Sequence, residues 1–523
     1  MAEYAVELKN ITKAFGRVVA NKNINLRLEK GQILALLGEN GSGKTTLMNI
    51  LSGIYKPDEG EIFVEDKKVV IHSPEDAKRI GIGMVHQHFK LVDVMSAADN
   101  ILIGADKTGF FLNKRRYTRV EEVAEKFGFE IDPKKLVCNM SVSEKQTLEI
   151  IKVLYYGAKT IILDEPTAVL TVQETKKLFD ILRRMKDEGH SIIIITHKLD
   201  EVLEISDKVT ILRKGTYIDT VDTASVSKQL LTDMMVGRKV NLNIERPLVE
   251  KTEPLLEIRD LTVLNDEGAT AIDDVSFYIR GGEILGVAGI AGCGQKELCE
   301  CIAGLRRPKQ GMMIYAGEDI SKLSPKAIIK LGITMSFIPE DRLGMGLAPS
   351  LSITDNMLLK NYEGKKFSPF IDRHRGRRRA ERVIKELDIV APSTETPVRR
   401  LSGGNVQKVL LGREIGTGPN VIVTAYPVRG LDIHSSYAIY DILNRQKQMG
   451  VGILFVGEDL DVMMALCDKI MVLCHGKLMG VVHADKVTKE ELGLMMTGAL
   501  DMADVKQKPM GIAKDTQIKE ENS

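Results

Sequence analysis

Residues 38–45 read Gly-Glu-Asn-Gly-Ser-Gly-Lys-Thr, and this stretch decides the fold of the N-terminal half. It matches the pattern G-x-x-x-x-G-K-[ST] in full. The run QILALL before it predicts a strand, and TTLMNILS after it predicts a helix. A glycine-rich loop in this position can turn its backbone N–H groups towards phosphates at the helix N-terminus. The pattern predicts an ATP site made of Gly38, Glu39, Asn40, Gly41, Ser42, Gly43, Lys44, Thr45 and Thr46.

Within this loop, Lys44 is expected to reach the β- and γ-phosphates, and the Thr45 hydroxyl suits Mg²⁺. A second apolar run, IIL at 161–163, ends in Asp164 and Glu165. Buried charge needs a partner, and Mg²⁺ is a natural one for Asp164. Glu165 would then lie beside the γ-phosphate and polarise the attacking water. Without the glycine-rich loop, the same pattern could mark a strand that meets a surface loop.

Three further residues are candidates because of their positions in the sequence. His197 follows the strand IIII at 192–195 and is predicted to sense the γ-phosphate. A histidine that follows a strand more often has only a structural role. The prediction therefore rests on where His197 stands in the sequence. Gln87 ends another strand and is expected to contact the metal or the water. Phe15 precedes the loop and is predicted to stack on adenine, although a lone aromatic could also belong to the core.

The second half of the chain repeats the first. VELKNIT at 6–12 returns as LEIRDLT at 256–262, and GQILALLGENGSGK at 31–44 returns as GEILGVAGIAGCGQ at 282–295. The offset is 251 residues at Gly38 and Gly289, and 261 at Leu199 and Leu460. Each copy alternates apolar β-branched runs with longer helical patterns, which is typical of an α/β fold with a mainly parallel sheet.

Leu401 begins the stretch LSGGN, which resembles the LSGGQ signature of ATP-binding-cassette (ABC) ATPases. Together with the loop, the ILDEP strand, Gln87 and His197, the likeness spans about 500 residues. It implies two tandem P-loop NTPase domains, each with a mainly parallel core sheet, an antiparallel β subdomain and a helical subdomain. It also implies head-to-tail pairing, so that Ser402, Gly403, Gly404 and Asn405 bind the ATP held by the first loop.

The resemblance also implies that the second nucleotide site is degenerate. Gln295 replaces the loop lysine, Lys296 replaces its hydroxyl, and Glu458 replaces the sensor histidine. The signature of the first half also differs from LSGGQ, because its counterpart SVSE at 141–144 lacks both glycines. The degenerate set is Gly289, Gly292, Gly294, Gln295, Lys296, Glu340, Ala425, Tyr426 and Glu458. We therefore expect that only the first site hydrolyses ATP.

The predicted domains are a catalytic one at 1–237, a polar linker at 238–254, a degenerate domain at 255–502 and a disordered tail at 503–523. Of the 523 residues, 28% are charged, and the net charge is +1. A protein whose main ligand is nucleic acid would have a larger excess of basic residues, so we do not expect nucleic-acid binding. The six cysteines fit no zinc framework. No run approaches the roughly 20 apolar residues of a membrane span, and MAEYAVELKN predicts no secretory signal.

Two ABC domains in one chain of this length, with no predicted membrane-spanning segment, resemble the ATPase subunit of bacterial importers for sugars or nucleosides. The expected partners are two integral membrane permease subunits and an extracellular solute-binding lipoprotein, with this chain peripheral on the cytoplasmic face of the membrane. The segment MVHQHF at 84–89 is more similar to the nucleoside branch, while ribose or galactose stays the alternative. An alternative interpretation is a tandem ABC protein that acts on ribosomes. The linker of under 25 residues and the degenerate second half make this alternative less favoured.

Overall fold

We describe a computed structural model of the chain. The structure describes residues 3–500 except 17, 88, 104–113, 169, 240–241, 251, 291, 331–334, 340 and 360–371. Glu340 of the degenerate set and the predicted tail at 503–523 therefore lie outside the described residues. The chain divides into two compact units, Met1–Asn241 and Leu242–Ser523.

The strands of the first unit form one sheet in the order β5-β4-β1-β2-β10-β9-β3-β8-β7-β6. They are β1 (Tyr4–Phe15), β2 (Val18–Glu29), β3 (Ile33–Leu37), β4 (Glu59–Val64), β5 (Lys67–Val69), β6 (Ile82–Val85), β7 (Thr160–Asp164), β8 (Ser191–Ile195), β9 (Lys208–Arg213) and β10 (Thr216–Asp222). Strands β9, β3, β8, β7 and β6 pair in parallel, whereas β5, β4, β1 and β2 pair antiparallel.

The helices of the first unit cover the parallel strands and build a separate helical part. They are α1 (Lys44–Leu51), α2 (Pro74–Arg79), α3 (Ala97–Leu102), α4 (Lys114–Phe127), α5 (Val142–Tyr155), α6 (Val172–Asp187), α7 (Leu199–Ile205) and α8 (Lys228–Val236). Every residue of β3, β7 and β8 is buried, as expected for strands covered on both faces. Helices α3, α4 and α5 pack against one another.

The second unit repeats this topology with two sheets. Their orders are β12-β11-β14-β15 and β16-β17-β18-β13-β19-β20. The strands are β11 (Pro254–Leu264), β12 (Thr270–Arg280), β13 (Ile284–Gly289), β14 (Gln310–Tyr315), β15 (Glu318–Asp319), β16 (Met335–Ile338), β17 (Val421–Ala425), β18 (Gly452–Val456), β19 (Lys469–Cys474) and β20 (Lys477–His483). The order β16-β17-β18-β13-β19-β20 is that of β6-β7-β8-β3-β9-β10 in the first unit, so the sequence repeat is a repeat of fold.

The helices of the second unit are α9 (Gln295–Ile302), α10 (Pro325–Lys330), α11 (Ile353–Leu358), α12 (Arg373–Glu386), α13 (Gly403–Ile415), α14 (Ile433–Gln448), α15 (Leu460–Leu466) and α16 (Lys489–Met496). A π-helical turn spans Arg342–Gly346. These elements confirm the predicted fold class of two tandem P-loop domains. None of the described helices is both long and apolar enough to cross a bilayer.

Residues 242–250, from the stretch predicted as a linker, pack on the second unit. The Asn444 amide of α14 donates to the Glu245 carbonyl at 2.6 Å. The Arg246 guanidinium donates to the Cys467 carbonyl at 2.8 Å, just after α15. Arginine at a helix C-terminus satisfies carbonyls that the helix leaves open. This part of the stretch is thus held in place by hydrogen bonds.

Candidate functional site

The glycine-rich loop connects β3 to α1 and adopts a conformation that only glycine allows at two points. Gly43 has φ +94°, and a Cβ added there would lie 2.4 Å from the Ala20 carbonyl oxygen. A Cβ on Gly38 would lie 2.4 Å from the Leu212 carbonyl oxygen. Backbone oxygens of β2 and β9 therefore lie directly against the loop, and a side chain at either position would displace it.

Lys44, in the first turn of α1, is buried within this loop. Its Nζ donates to the Gly38 carbonyl at 2.7 Å and to the Glu39 carbonyl at 3.0 Å. Burial lowers the pKa of Lys44, and Glu165, Asp164 and Glu39 counteract that effect. A cation held in a desolvated loop at a helix N-terminus is suited to bind phosphate.

The Ser42 side chain gives an independent test of whether a ligand fits this loop. Ser42 is 3% exposed, and its hydroxyl oxygen has no hydrogen-bond partner among the described residues. Buried hydroxyls are normally paired, so this one indicates a missing polar ligand. Thr45 and Thr46 follow on α1, and Thr45 is exposed. The residues present therefore fit the phosphates of ATP, and the hydroxyl of Thr45 and the carboxylate of Asp164 are the oxygen ligands that Mg²⁺ prefers.

Asp164 and Glu165 lie where β7 ends. Asp164 is 6% exposed, and burial, together with the neighbouring Glu165, raises its pKa to about 6, while Lys44 opposes the shift. Glu165 has φ +48°, and its backbone N–H donates to the Ile195 carbonyl at 2.8 Å. The left-handed turn separates the two carboxylates, so that Asp164 stays in the interior while Glu165 is directed towards the ends of the neighbouring strands.

Glu165 joins Gln87 and His197 in one hydrogen-bonded cluster. The Gln87 amide nitrogen Nε2 donates to Glu165 Oε2 at 2.8 Å. The His197 ring nitrogen Nδ1 lies 2.9 Å from Glu165 Oε1. This contact with His197 lowers the pKa of Glu165 and outweighs the effect of burial. Glu165 is therefore an ionised carboxylate at neutral pH, as a group that accepts a proton from water has to be.

Phe15 ends β1 and does not belong to the core, because 44% of it is exposed. It packs edge to face on Tyr55, with the ring centroids 5.2 Å apart. Lys13 Nζ lies 5.5 Å from the Phe15 ring. The sequence singled out Phe15 and missed Tyr55, which follows α1. An exposed aromatic pair of this kind can hold a flat ring.

The loop of the second unit keeps the backbone geometry and loses the lysine. Gly292 and Gly294 have φ +89° and +93°, close to the +79° and +94° of Gly41 and Gly43. Gln295 is 3% exposed, and its Nε2 donates to the Ile290 carbonyl at 3.1 Å. A Cβ on Gly289 would lie 2.5 Å from that same amide nitrogen. A neutral amide thus occupies the place that Lys44 has in the first unit.

The turn after β17 has the same backbone conformation as the turn after β7 but lacks the two carboxylates. Tyr426 has φ +49°, and its N–H donates to the Val456 carbonyl at 2.9 Å, as Glu165 does to Ile195. Ala425 and Tyr426 offer no carboxylate to a metal or a water. Glu458 pairs with Arg429, whose Nε lies 3.1 Å from Glu458 Oε1. The sequence did not single out Arg429 as a site residue.

The two signature segments differ in the way their helices begin. Ser402 precedes α13, and its hydroxyl accepts from the Asn405 amide at 2.9 Å. A Cβ on Gly404 would lie 2.3 Å from Ser435 Oγ, so glycine is required there. At α5, the Glu144 carboxylate instead accepts from the Ser141 N–H at 2.7 Å and is held by Lys135. An anion of the chain itself therefore occupies the N-terminus of α5.

Comparisons with known proteins agree along nearly the whole chain. A family model described as "ABC transporter" matches residues 21–168 and again 272–424. The guanosine import ATP-binding protein NupO of Bacillus subtilis is 42% identical over 501 residues, covering 95% of this chain and 98% of that protein. The nucleoside import ATP-binding protein NupA of Lactococcus lactis is 39% identical over 95% of this chain and 98% of its own length. The glucose import ATP-binding protein TsgD13 of Haloferax volcanii is also 39% identical, over 95% of this chain and 96% of its own length.

Proposed function

The chain belongs to the ABC transporter family, and from that premise we propose that its first unit hydrolyses ATP to drive the uptake of nucleosides. The chain is an ATP-binding subunit of an import system and an ATPase. The observation that carries the proposal is the cluster of Gln87, Glu165 and His197 beside Lys44. The second unit keeps the same backbone and lacks every member of this cluster among its described residues.

The roles follow from the contacts. Glu165 accepts the proton of the attacking water, while His197 keeps its carboxylate ionised and Gln87 fixes the orientation of that carboxylate. Lys44 and the loop N–H groups bind the β- and γ-phosphates. Bound Mg²⁺, held by Thr45, Asp164 and Gln87, would neutralise charge on the same phosphates.

We assign adenine to Phe15 and the remaining ATP contacts to Gly38 through Thr46. The family resemblance, rather than any described contact, supports the further assignment of the second signature to the γ-phosphate. That set is Ser402, Gly403, Gly404 and Asn405. A spin-labelled ATP analogue would test the assignment of adenine, because Phe15→Ala should weaken its binding while Tyr217→Ala, a partly buried tyrosine elsewhere in the unit, should not.

The nucleoside cargo rests on the relatives. Two of them import guanosine or nucleosides by name, at 42% and 39% identity. A glucose importer at 39% keeps sugars as the second candidate. Deletion of the gene should abolish uptake of labelled guanosine and leave uptake of ribose and glucose unchanged. Loss of sugar uptake with intact guanosine uptake would assign the chain to sugars instead.

Import ATP-binding proteins act with membrane permeases and substrate-binding proteins. For this chain we propose two integral permease subunits, an extracellular solute-binding lipoprotein and a peripheral position on the cytoplasmic face of the membrane. The chain should co-sediment with membranes that contain its permeases and should be released by alkaline or high-salt washing. Retention on washed membranes that lack the permeases would contradict this arrangement.

A further inference from the structure

Glu165 and His197 stand in two neighbouring turns, and a lysine outside their cluster links the same two turns. The turn after β7 runs from Glu165 to Ala168, whose N–H donates back to the Glu165 carbonyl at 3.2 Å. The turn after β8 contains His197 and Lys198. Lys198 Nζ donates to the Thr167 carbonyl at 3.0 Å, from one turn to the other. The turns are therefore joined by a second side-chain link besides the contact between Glu165 and His197.

The side chain of Glu201, in the first turn of α7, contacts both partners of this link. Its Oε1 lies 3.0 Å from Lys198 Nζ, and its Oε2 accepts from the Thr167 hydroxyl at 2.5 Å. Thr167 is 2% exposed and the Glu201 side chain 16% exposed, so this hydrogen bond lies largely out of water. Hydrogen bonds to a charged group are the stronger ones, above all away from solvent. The three residues thus form one network that fastens the start of α7 to the turn after β7.

His197 depends on the position of its backbone, because 54% of its side chain is exposed. An imidazole at the surface can rotate about its side-chain torsions, so its backbone and its contact with Glu165 decide where the ring lies. Lys198 follows His197 directly, and the Lys198 N–H donates to the hydroxyl of the buried Thr196 at 3.0 Å. This bond and the network together fix the chain on the C-terminal side of His197.

The second unit has other side chains at the three positions of the network. The offset of 261 residues that relates His197 to Glu458 places Asp459 at the lysine, Val428 at the threonine and Val462 at the glutamate. Neither valine can form a hydrogen bond through its side chain. Asp459 Oδ1 accepts instead from two backbone N–H groups in the first turn of α15, at 2.9 Å and 3.2 Å. The network therefore accompanies the unit that has both Glu165 and His197.

We propose that Lys198 is a positioning residue for hydrolysis, which holds His197 against Glu165 through its contacts with Thr167 and Glu201. The proposal rests on the proposed function, in which Glu165 accepts the proton of the attacking water. Without the network, the turn after β8 is free to move, and the 2.9 Å contact between His197 Nδ1 and Glu165 Oε1 is no longer maintained. That contact lowers the pKa of Glu165. Its loss raises the pKa, so Glu165 becomes ionised, and hydrolysis begins, only at higher pH.

The test compares Lys198→Met with Lys228→Met in the steady-state ATPase activity of the chain assembled with its permeases. Lys228 is the matched control: its side chain is 42% exposed against 40% for Lys198, and it pairs at 2.6 Å with Asp200, which also lies in the first turn of α7. For Lys198→Met we expect kcat about 10-fold lower, KM for ATP within about 2-fold, and an acid limb at higher pH. Lys198→Arg should restore most of kcat, because a guanidinium can also donate to a carbonyl and a carboxylate. Lys228→Met should leave all three quantities unchanged.

A second variant separates positioning from the charge of Lys198. Glu201→Met removes a negative charge, which by charge alone would move the acid limb to lower pH or leave it in place. If the network positions His197, the acid limb moves to higher pH, as in Lys198→Met. In the background of His197→Ala, Lys198→Met should cost much less than about 10-fold in kcat, because it acts through the missing imidazole. Glu201→Met also carries the test if the thermal unfolding midpoint shows that Lys198→Met is not folded.

Three results would overturn the proposal: an unchanged acid limb in folded Lys198→Met, no shift or a shift to lower pH in Glu201→Met, or a further loss of about 10-fold when Lys198→Met is added to His197→Ala. The proposed function is tested separately by Glu165→Gln. If Glu165→Gln abolishes activity while Lys198→Met behaves like the wild type, the positioning role is rejected and the proposed function stands.

Discussion

Replacing Asp164 by asparagine should stabilise the metal-free protein while it removes activity. Asp164 is almost completely buried, and its pKa is raised from 3.8 to about 6. A shift of about 2 pKa units corresponds to roughly 3 kcal/mol of unfavourable free energy for the ionised form at neutral pH. Asparagine has the same shape without the charge, so up to about 3 kcal/mol of stability is regained. The variant also loses a ligand for Mg²⁺, and its ATPase rate should fall on the order of 10²–10³-fold.

The sign of the pH dependence follows from the direction of the shift. Because the folded pKa is raised, the folded protein takes up this proton more readily than the unfolded chain does. The destabilisation is therefore fully present above pH 6 and disappears as the pH falls towards 3.8. The advantage of Asp164→Asn over the wild type should be largest at pH 8 and about half as large at pH 5.

The assay is calorimetric unfolding in EDTA at the two pH values, read from the transition of the first unit. Each kcal/mol should move the midpoint by roughly 2–4 °C for a unit of this size. Asp187→Asn, at an exposed position at the end of α6, is the matched control and should shift the stability by less than about 0.5 kcal/mol. If Asp164→Asn is no more stable than the wild type at pH 8, or gains equally at both pH values, burial of the Asp164 charge has been misjudged.

Three further changes test other parts of the account. His197→Ala removes the contact that lowers the pKa of Glu165, so the ATPase rate should fall on the order of 10²–10³-fold and the acid limb of its pH profile should move to higher pH. An acid limb that does not move would show that His197 does not lower the pKa of Glu165. Gly43→Ala should destabilise the first unit by more than about 1 kcal/mol and abolish ATP binding, because its Cβ meets a backbone oxygen, whereas Gly189→Ala has a similar φ and open space, so only the backbone strain applies. Equal midpoints for the two variants in thermal unfolding would contradict this. Ser402→Arg should nearly abolish steady-state ATPase activity by placing a bulky cation in the signature, and retained activity would exclude that signature from the reaction.

The sequence predicted the convergence of Gln87, Glu165 and His197 because of a simple topological rule. Each follows a strand, and β6, β7 and β8 are neighbours in the parallel sheet. The carboxyl ends of parallel strands meet at one edge, so the residues that follow them meet as well. The repeat then allowed the positions of Glu165 and His197 to be read in the second half as Tyr426 and Glu458, and that of Asp164 as Ala425. Local patterns were sufficient here because the sheet order is shared by both units.

Other contacts could not be predicted, because they depend on packing between distant segments. Tyr55 follows α1 and meets Phe15 only through the folding of β1. Arg342 and Arg429 are 87 residues apart, and the hydrogen bond from the Arg342 guanidinium to the Arg429 carbonyl joins segments that no local pattern brings together. The contact of the Glu144 carboxylate with Lys135 at the start of α5 was not predicted either.

The central claim is that one of the two ATP sites hydrolyses ATP and the other does not. The most direct measurement is the steady-state ATPase activity of the chain assembled with its permeases, with Glu165→Gln compared with Glu458→Ala and Gln295→Ala. Glu165→Gln keeps the shape of the side chain and loses the proton acceptor, so activity should fall on the order of 10²–10³-fold. The two variants of the second unit should keep most of the activity. Substantial activity that survives Glu165→Gln, or equal losses from changes in both units, would contradict the asymmetric account.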